Sequence, residues 1–323
     1  MFTGDFFYAS KNLYGKFALY RSLYIHHWLV GWLSRISYRG RHSPVTCYCI
    51  YCAAIRYYEG NKKALKGLEF SRCLIYYPHY KSYTMKSMKF LFVTTSHDKM
   101  GDTAGKTGVW LEELAAPYYV FKEIGADIML ASPKGGLVPL DPKSLAIILA
   151  TRSTKRFLKD VEAMDILSKS MVLSAIKADD FDGVFLTGGH GSLWDIADNK
   201  ILKSLLETFL RMGKPIGAVC HGVAGLVSLQ NDKGEYFVKG RQLTGYSNSE
   251  EESSGLTLVV PFLLETKLLS AGALYTRGPD YVSHVVADGN IVTGQNPASS
   301  EEVAKKIAAL AQLKKITGTI PVH

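Results

Sequence analysis

From Lys89 onward the chain is built of short, wholly apolar runs separated by longer mixed segments, and this alternation constrains the fold more than any other feature. Lys89-Phe90-Leu91-Phe92-Val93 and the runs within 126–132, 181–187 and 215–219 place apolar residues at consecutive positions. A strand with one face in water alternates in polarity; a strand without alternation is covered on both faces. The segments 109–124, 155–170 and 200–212 read as helices between these strands, and 260–269 and 298–313 as two more. A short strand is expected at 241–244. Residues 281–287 and Ile291–Gly294 flank Asp288-Gly289-Asn290, a hairpin-type turn. Strands separated by helices predict an α/β fold, a mostly parallel sheet with helices on both faces.

The first 87 residues have a different character. They hold 13 of the 19 tyrosines, and 13 basic residues against 3 acidic ones. Residues 88–323 hold 25 basic against 26 acidic, so the formal net charge of +9 resides in the extension. A near-neutral body offers no phosphate-binding surface, and no nucleic-acid partner is expected. No apolar stretch reaches the roughly 18 residues that a membrane span needs, and no membrane partner is expected for the body.

Three readings of residues 1–87 are open. They are a basic, acid-poor mitochondrial presequence, a membrane-surface arm using Trp28 and Trp32, or upstream sequence before a working chain that starts at Met85 or Met88. The abrupt change at residue 88 favours the last. The expected organisation is a poorly ordered or untranslated extension over 1–87 and a catalytic domain over 88–323. Cys47, Cys49, Cys52 and Cys73 lie in the extension, leaving Cys220 alone in the body. A single cysteine builds no internal disulfide, which fits a reducing compartment. Cys47-x-Cys49-x-x-Cys52 lacks a fourth ligand at suitable spacing, and no metal site is expected. The expected location is the cytoplasm, with the nucleus also open, and the mitochondrion only if 1–87 acts as a presequence.

Two strand ends carry the candidate chemistry. The apolar run 215–219 stops at Cys220, and small residues follow in His221-Gly222-Val223-Ala224-Gly225. A cysteine at a strand-to-helix corner sits on a tight turn with its sulfur exposed. The N-terminus of the next helix would favour the thiolate through its dipole and free N–H groups. The run 181–187 ends in Gly188-Gly189-His190-Gly191. Such a loop either lets backbone N–H groups form an oxyanion hole or is an ordinary tight turn. Ligands of parallel sheets bind beyond the carboxyl ends of the strands, so both strand ends can line one crevice.

Glu112 and Glu113 are about 100° apart on the helix 109–124, so only one can face the sheet. On pattern alone they read as two solvated acids. His221 is either a base for Cys220 or a residue that merely begins a helix. Glu250, Glu251 and Glu252 offer a loop carboxylate to orient His221, or a solvated helix start. Neither G-x-G-x-x-G nor G-x-x-x-x-G-K-[ST] occurs, and no nucleotide site is inferred.

Together the stretches 107–117, 131–136, 188–191, 218–222, 243–252 and 293–300 resemble the ThiJ/PfpI superfamily, and within it the glutathione-independent glyoxalase III and heat-shock-chaperone branch. They run in family order across 88–323, while 1–87 matches nothing in the family. The resemblance implies a flavodoxin-like α/β/α sandwich with a cysteine nucleophile elbow. It implies Cys220 as nucleophile, Glu113 as the buried acid that reaches the sulfur, and His221 with Glu251 as the rest of a Cys-His-acid triad. Gly188, Gly189 and His190 match the oxyanion and substrate-binding loop. Class I glutamine amidotransferases share the fold but use a late His-x-Glu pair. No histidine here is followed two residues later by glutamate, which argues against glutamine hydrolysis.

The implied activity is the cofactor-independent conversion of methylglyoxal to D-lactate, a lyase reaction in 2-oxoaldehyde detoxification. The implied partners are a small 2-oxoaldehyde and a second copy in a homodimer. A stress-inducible holdase, a protein deglycase and a redox sensor are the other roles that the same superfamily suggests.

Overall fold

The computed structural model describes residues 87–231 and 233–318. The readings made for 1–86, including Cys47-x-Cys49-x-x-Cys52, fall outside the described residues. A seven-stranded sheet forms the centre, in the order β3 (Met171–Val172), β2 (Asp127–Ser132), β1 (Lys89–Val93), β4 (Gly183–Leu186), β5 (Ile216–Val219), β9 (Ile291–Gly294) and β8 (Val285–Asp288). Every neighbouring pair is parallel except β8 and β9, which form the expected antiparallel hairpin. Phe90, Leu91, Phe92 and Val93 are all at most 1% exposed. β4, β5 and β9 are likewise buried along their whole length. The runs without alternation are thus the interior strands of an α/β sandwich, as expected.

The covering helices follow from the mixed segments. α1 (Leu111–Glu123) and α5 (Lys200–Arg211) match the expected spans to within two residues. The long helix expected over 155–170 is two short ones, α2 (Arg152–Phe157) and α3 (Val161–Ser168). Asp160 makes the break. Its carboxylate accepts the backbone N–H groups of Glu162 and Ala163, an N-cap that starts a new helix in preference to continuing the old one. α4 (Ser192–Asp195) follows β4 and α6 (Asn248–Ser253) carries the consecutive glutamates. α7 (Leu264–Ser270) starts four residues later than expected: Pro261 disfavours a helical Val260 before it, and Leu263 is an extended N-cap. α8 (Ser300–Thr317) closes the chain beside α1.

Two short strands had no counterpart in the sequence reading. β3 is two exposed residues at the sheet edge. β7 (Leu274–Tyr275) pairs in parallel with β6 (Gln242–Leu243) in a separate two-stranded sheet. Among the described residues no helix is long and apolar enough to cross a membrane.

The sheet topology positions the candidate site. The chain moves from β1 out to β3 and returns to β4 on the other side of β1. The strand order reverses there, so connections after β1 and β4 diverge and leave a crevice at the carboxyl ends. β4 ends beside it at Gly188, and neighbouring β5 ends at Cys220.

Aromatic packing anchors α1 on this sheet. The Phe121 ring stacks on Phe90 with centroids 4.1 Å apart and meets Phe92 edge-on at 5.5 Å. Phe121 is fully buried. Phe121→Ala is expected to lower stability by about 3–5 kcal/mol, since the helix cannot collapse onto a flat sheet to fill the void. Urea unfolding followed by circular dichroism measures this loss.

Candidate active site

Cys220 begins where β5 stops. Its φ of 54° lies in the left-handed region, which a side chain with Cβ rarely enters. The seven residues Cys220–Leu226 continue as a 3-10 turn instead of an α-helix. Gly222 makes this corner possible. A Cβ there would lie 2.6 Å from the carbonyl oxygens of both Leu186 and Thr187, so the elbow packs backbone to backbone against the end of β4. The sulfur is held at a strained turn, but it is not exposed: Cys220 is only 3% accessible.

Glu113 reaches the same point from the first turn of α1. It is fully buried, and its Oε2 accepts the backbone N–H of Gly188 at 2.7 Å. Glu112, the other acid of the pair, faces away toward the Thr151 hydroxyl. Any side chain at position 188 would collide with the carboxylate, for a Cβ there would sit 2.4 Å from Oε2. Gly188 therefore holds the acid, and its N–H is already used; it is not a spare oxyanion donor. At Gly189 φ is +97°, and a Cβ would lie 2.1 Å from the Gly108 carbonyl, so only glycine fits.

The acidities follow from burial. Removal from water pushes the Glu113 carboxyl up to about 8, against hydrogen bonds from Cys220 and Gly188 that act in the opposite direction. Burial raises the Cys220 thiol well above its ordinary value, and the neighbouring Glu113 charge raises it further. Two adjacent buried acids cannot both ionise, so the pair titrates as a unit. The expected resting thiolate is thus corrected: desolvation and Glu113 outweigh the short 3-10 turn, and the resting sulfur keeps its proton.

His221 lies beside that sulfur, with Nδ1 3.5 Å from Sγ. Its Nε2 is 2.8 Å from Glu251 Oε2. Burial first, and His190 second, hold the imidazole below its usual 6.5 despite the pull of Glu251. The ring is therefore neutral at pH 7. Burial alone would raise the Glu251 carboxyl, but the His221 and His190 rings and the hydrogen bonds they donate hold it well below the carboxylate range. An ionised carboxylate only accepts, so the His221 proton resides on Nε2 and Nδ1 presents a lone pair to the thiol.

Of the three consecutive glutamates, the structure brings Glu251 alone to His221. Glu250 belongs to the frame. It forms a capping box with Ser247 and accepts the Tyr281 N–H and the Asn296 amide. Glu252 is exposed.

His190 is more than a lining residue. Its Nε2 is 3.0 Å from Glu251 Oε1, so one carboxylate joins two imidazoles. The two rings lie 4.3 Å apart. Tyr246 also packs against His221 at 4.3 Å, and its ring meets His190 edge-on at 5.9 Å. The sequence reading assigned Tyr246 no role; it follows a strand and glycine and carries no spacing signal of its own.

A model of the DJ-1/PfpI family matches residues 106–310. Glyoxalase 3 of Candida albicans is 32% identical over 232 residues, covering 69% of this chain and 98% of that protein. The glutathione-independent glyoxalase HSP31 of Saccharomyces cerevisiae is 30% identical, covering 68% and 96% respectively. The crystal structure of glyoxalase III from Candida albicans is similar with a TM-score of 0.64 at 30% identity, covering 69% of this chain and 96% of that one.

The buried carboxyl gives stability a predictable pH dependence. Unfolded, Glu113 titrates near 4.5; folded, near 8. Between these values the native state holds a proton that the unfolded chain has lost, so this residue's contribution falls as pH rises and levels off above 8. Glu113→Gln removes that slope. Its stability relative to the unmodified protein is expected to increase from pH 5 to pH 8 by on the order of 3 kcal/mol, read by urea unfolding at each pH.

Proposed function

The chain belongs to the DJ-1/PfpI family, alongside its glyoxalase III and HSP31 members, and from that membership we propose that it converts methylglyoxal to D-lactate without glutathione. The single observation that carries the reading is the Glu113 carboxyl held against the Cys220 sulfur, with His221 Nδ1 3.5 Å from the same sulfur.

In this reading the thiol proton passes to His221 Nδ1 as Sγ adds to the aldehyde carbon. The aldehyde oxygen then takes up that proton, giving a hemithioacetal. Backbone N–H groups of Gly189 and His221 hold the developing oxyanion, with Gly188 kept for Glu113. The ionised Glu113 removes the hydrogen on the former aldehyde carbon, the electron pair forms an enediolate, and the hydroxyl proton on that carbon passes to the former ketone oxygen. The same group returns the proton to the neighbouring carbon, leaving a lactoyl thioester. His221 then takes a proton from water, hydroxide attacks the thioester carbon, and the C–S bond breaks. The thiol recovers its proton, and the sum is methylglyoxal plus water giving lactate.

A carboxyl that titrates near 8 suits both halves of this transfer, because it gives up and takes on a proton at neutral pH at small cost. The His221–Glu251 hydrogen bond supplies the tautomer that the first step needs. The reaction requires no metal or organic cofactor. The substrate in this reading is a small 2-oxoaldehyde, in keeping with the glyoxalases among the relatives.

The assay is lactate formation from methylglyoxal in glutathione-free buffer. Cys220→Ser is expected to abolish turnover. Glu113→Gln is expected to retain the fold and lose about 10²–10⁴-fold in kcat, the usual contribution of a positioned acid–base group. Turnover by Cys220→Ser at the unmodified rate would refute the covalent route.

A further inference from the structure

The geometry points to a zinc-type divalent-cation site formed by His190, His221 and Glu251, with the ion replacing the protons that now join these groups. The metal binding stands independently of the glyoxalase reading, while its inhibitory consequence rests on that reading. The three residues present ligand atoms that all lie within 4.8 Å of one another. His190 Nε2 is 3.0 Å from one Glu251 oxygen, and His221 Nε2 is 2.8 Å from the other. Two ligands bound to one zinc ion, each about 2 Å from it, are themselves about 3 Å apart. Imidazole nitrogen and carboxylate oxygen are the donors that such an ion selects.

The surroundings suit a cation in three ways. One carboxylate offsets part of the charge. The side chains are 8% (His190), 1% (His221) and 3% (Glu251) exposed, so little water competes for the ligand atoms. The rings also have somewhere to put the displaced protons. His190 Nδ1 is buried with no hydrogen-bond partner, and His221 Nδ1 faces only the Cys220 sulfur. Each imidazole can therefore move its proton from Nε2 to Nδ1 and bind metal while remaining neutral.

The consequence for the neighbouring sulfur is specific. Sγ lies on the Nδ1 side of His221, away from the Nε2 ligand atom, so Cys220 is not a ligand. With metal on Nε2, Nδ1 carries a proton and no longer accepts one from the thiol. The site is then an inhibitory one, distinct from the capture of metal by a cysteine.

Full-length protein carrying Cys47→Ser, Cys49→Ser, Cys52→Ser and Cys73→Ser, treated with chelator and titrated with zinc(II) in a calorimeter, is expected to take up one ion per chain. Cys220→Ser should bind with unchanged stoichiometry. His190→Gln and Glu251→Gln should each weaken binding by more than the roughly 10–100-fold cost of losing a mere supporting group. Cobalt(II) in the same cysteine-substituted protein provides a second probe. Bound to nitrogen and oxygen alone it should show weak visible bands and no intense near-ultraviolet thiolate charge-transfer band. Absence of stoichiometric zinc uptake, a thiolate band from cobalt, or loss of binding in Cys220→Ser overturns the proposal.

Discussion

The enclosure of the Glu113 carboxyl against the Cys220 sulfur is the contact on which the rest of the site depends. A carboxyl taken out of water is stable there only if it keeps a proton or is given hydrogen bonds. Gly188 supplies one such bond, and the absence of a side chain at 188 leaves the room that the carboxyl occupies. The same enclosure suppresses ionisation of the sulfur. A thiol in such a place gives up its proton only to a base next to it, and the unprotonated nitrogen of His221 is in that position. Strain in the Cys220 backbone is sustained by close packing of the elbow on the last carbonyls of β4.

Glu251 works by having two oxygens. One orients His221 and the other orients His190, so a single carboxylate sets the proton position on both rings. Its own placement depends on Glu250, whose capping box starts α6 and whose second oxygen ties that helix to the 281 and 296 segments. Neighbouring residues of identical chemistry thus do unlike things, because a helix turns them to different surroundings.

Much of the fold was legible because its central strands are covered on both faces and therefore have no polar positions to disguise them. The two-residue strands β3 and β7 were not legible, since a pair of residues has no period. The break between α2 and α3 was missed because Asp160 looks like any surface acid until its carboxylate is seen to cap a helix. At the site, Cys220, Glu113, His221 and Glu251 were each named, and the structure brings all four together. Tyr246, and the hydrogen bond of His190 to Glu251, carried no pattern that spacing could reveal. Spacing along the chain marks only clustered cysteines as candidate metal ligands, whereas His190, His221 and Glu251 converge from three separate segments.

What the amino-acid order determined by itself was the sequence of elements and the positions where reactive residues stand at the ends of strands. These depend on local periodicity and on turns that only small residues allow. What the tertiary structure alone decided was the state of those residues: which glutamate meets which histidine, where protons rest, and whether the sulfur is charged. Those properties depend on dielectric surroundings and on distances between segments far apart in the chain, and neither is a property of any stretch of sequence.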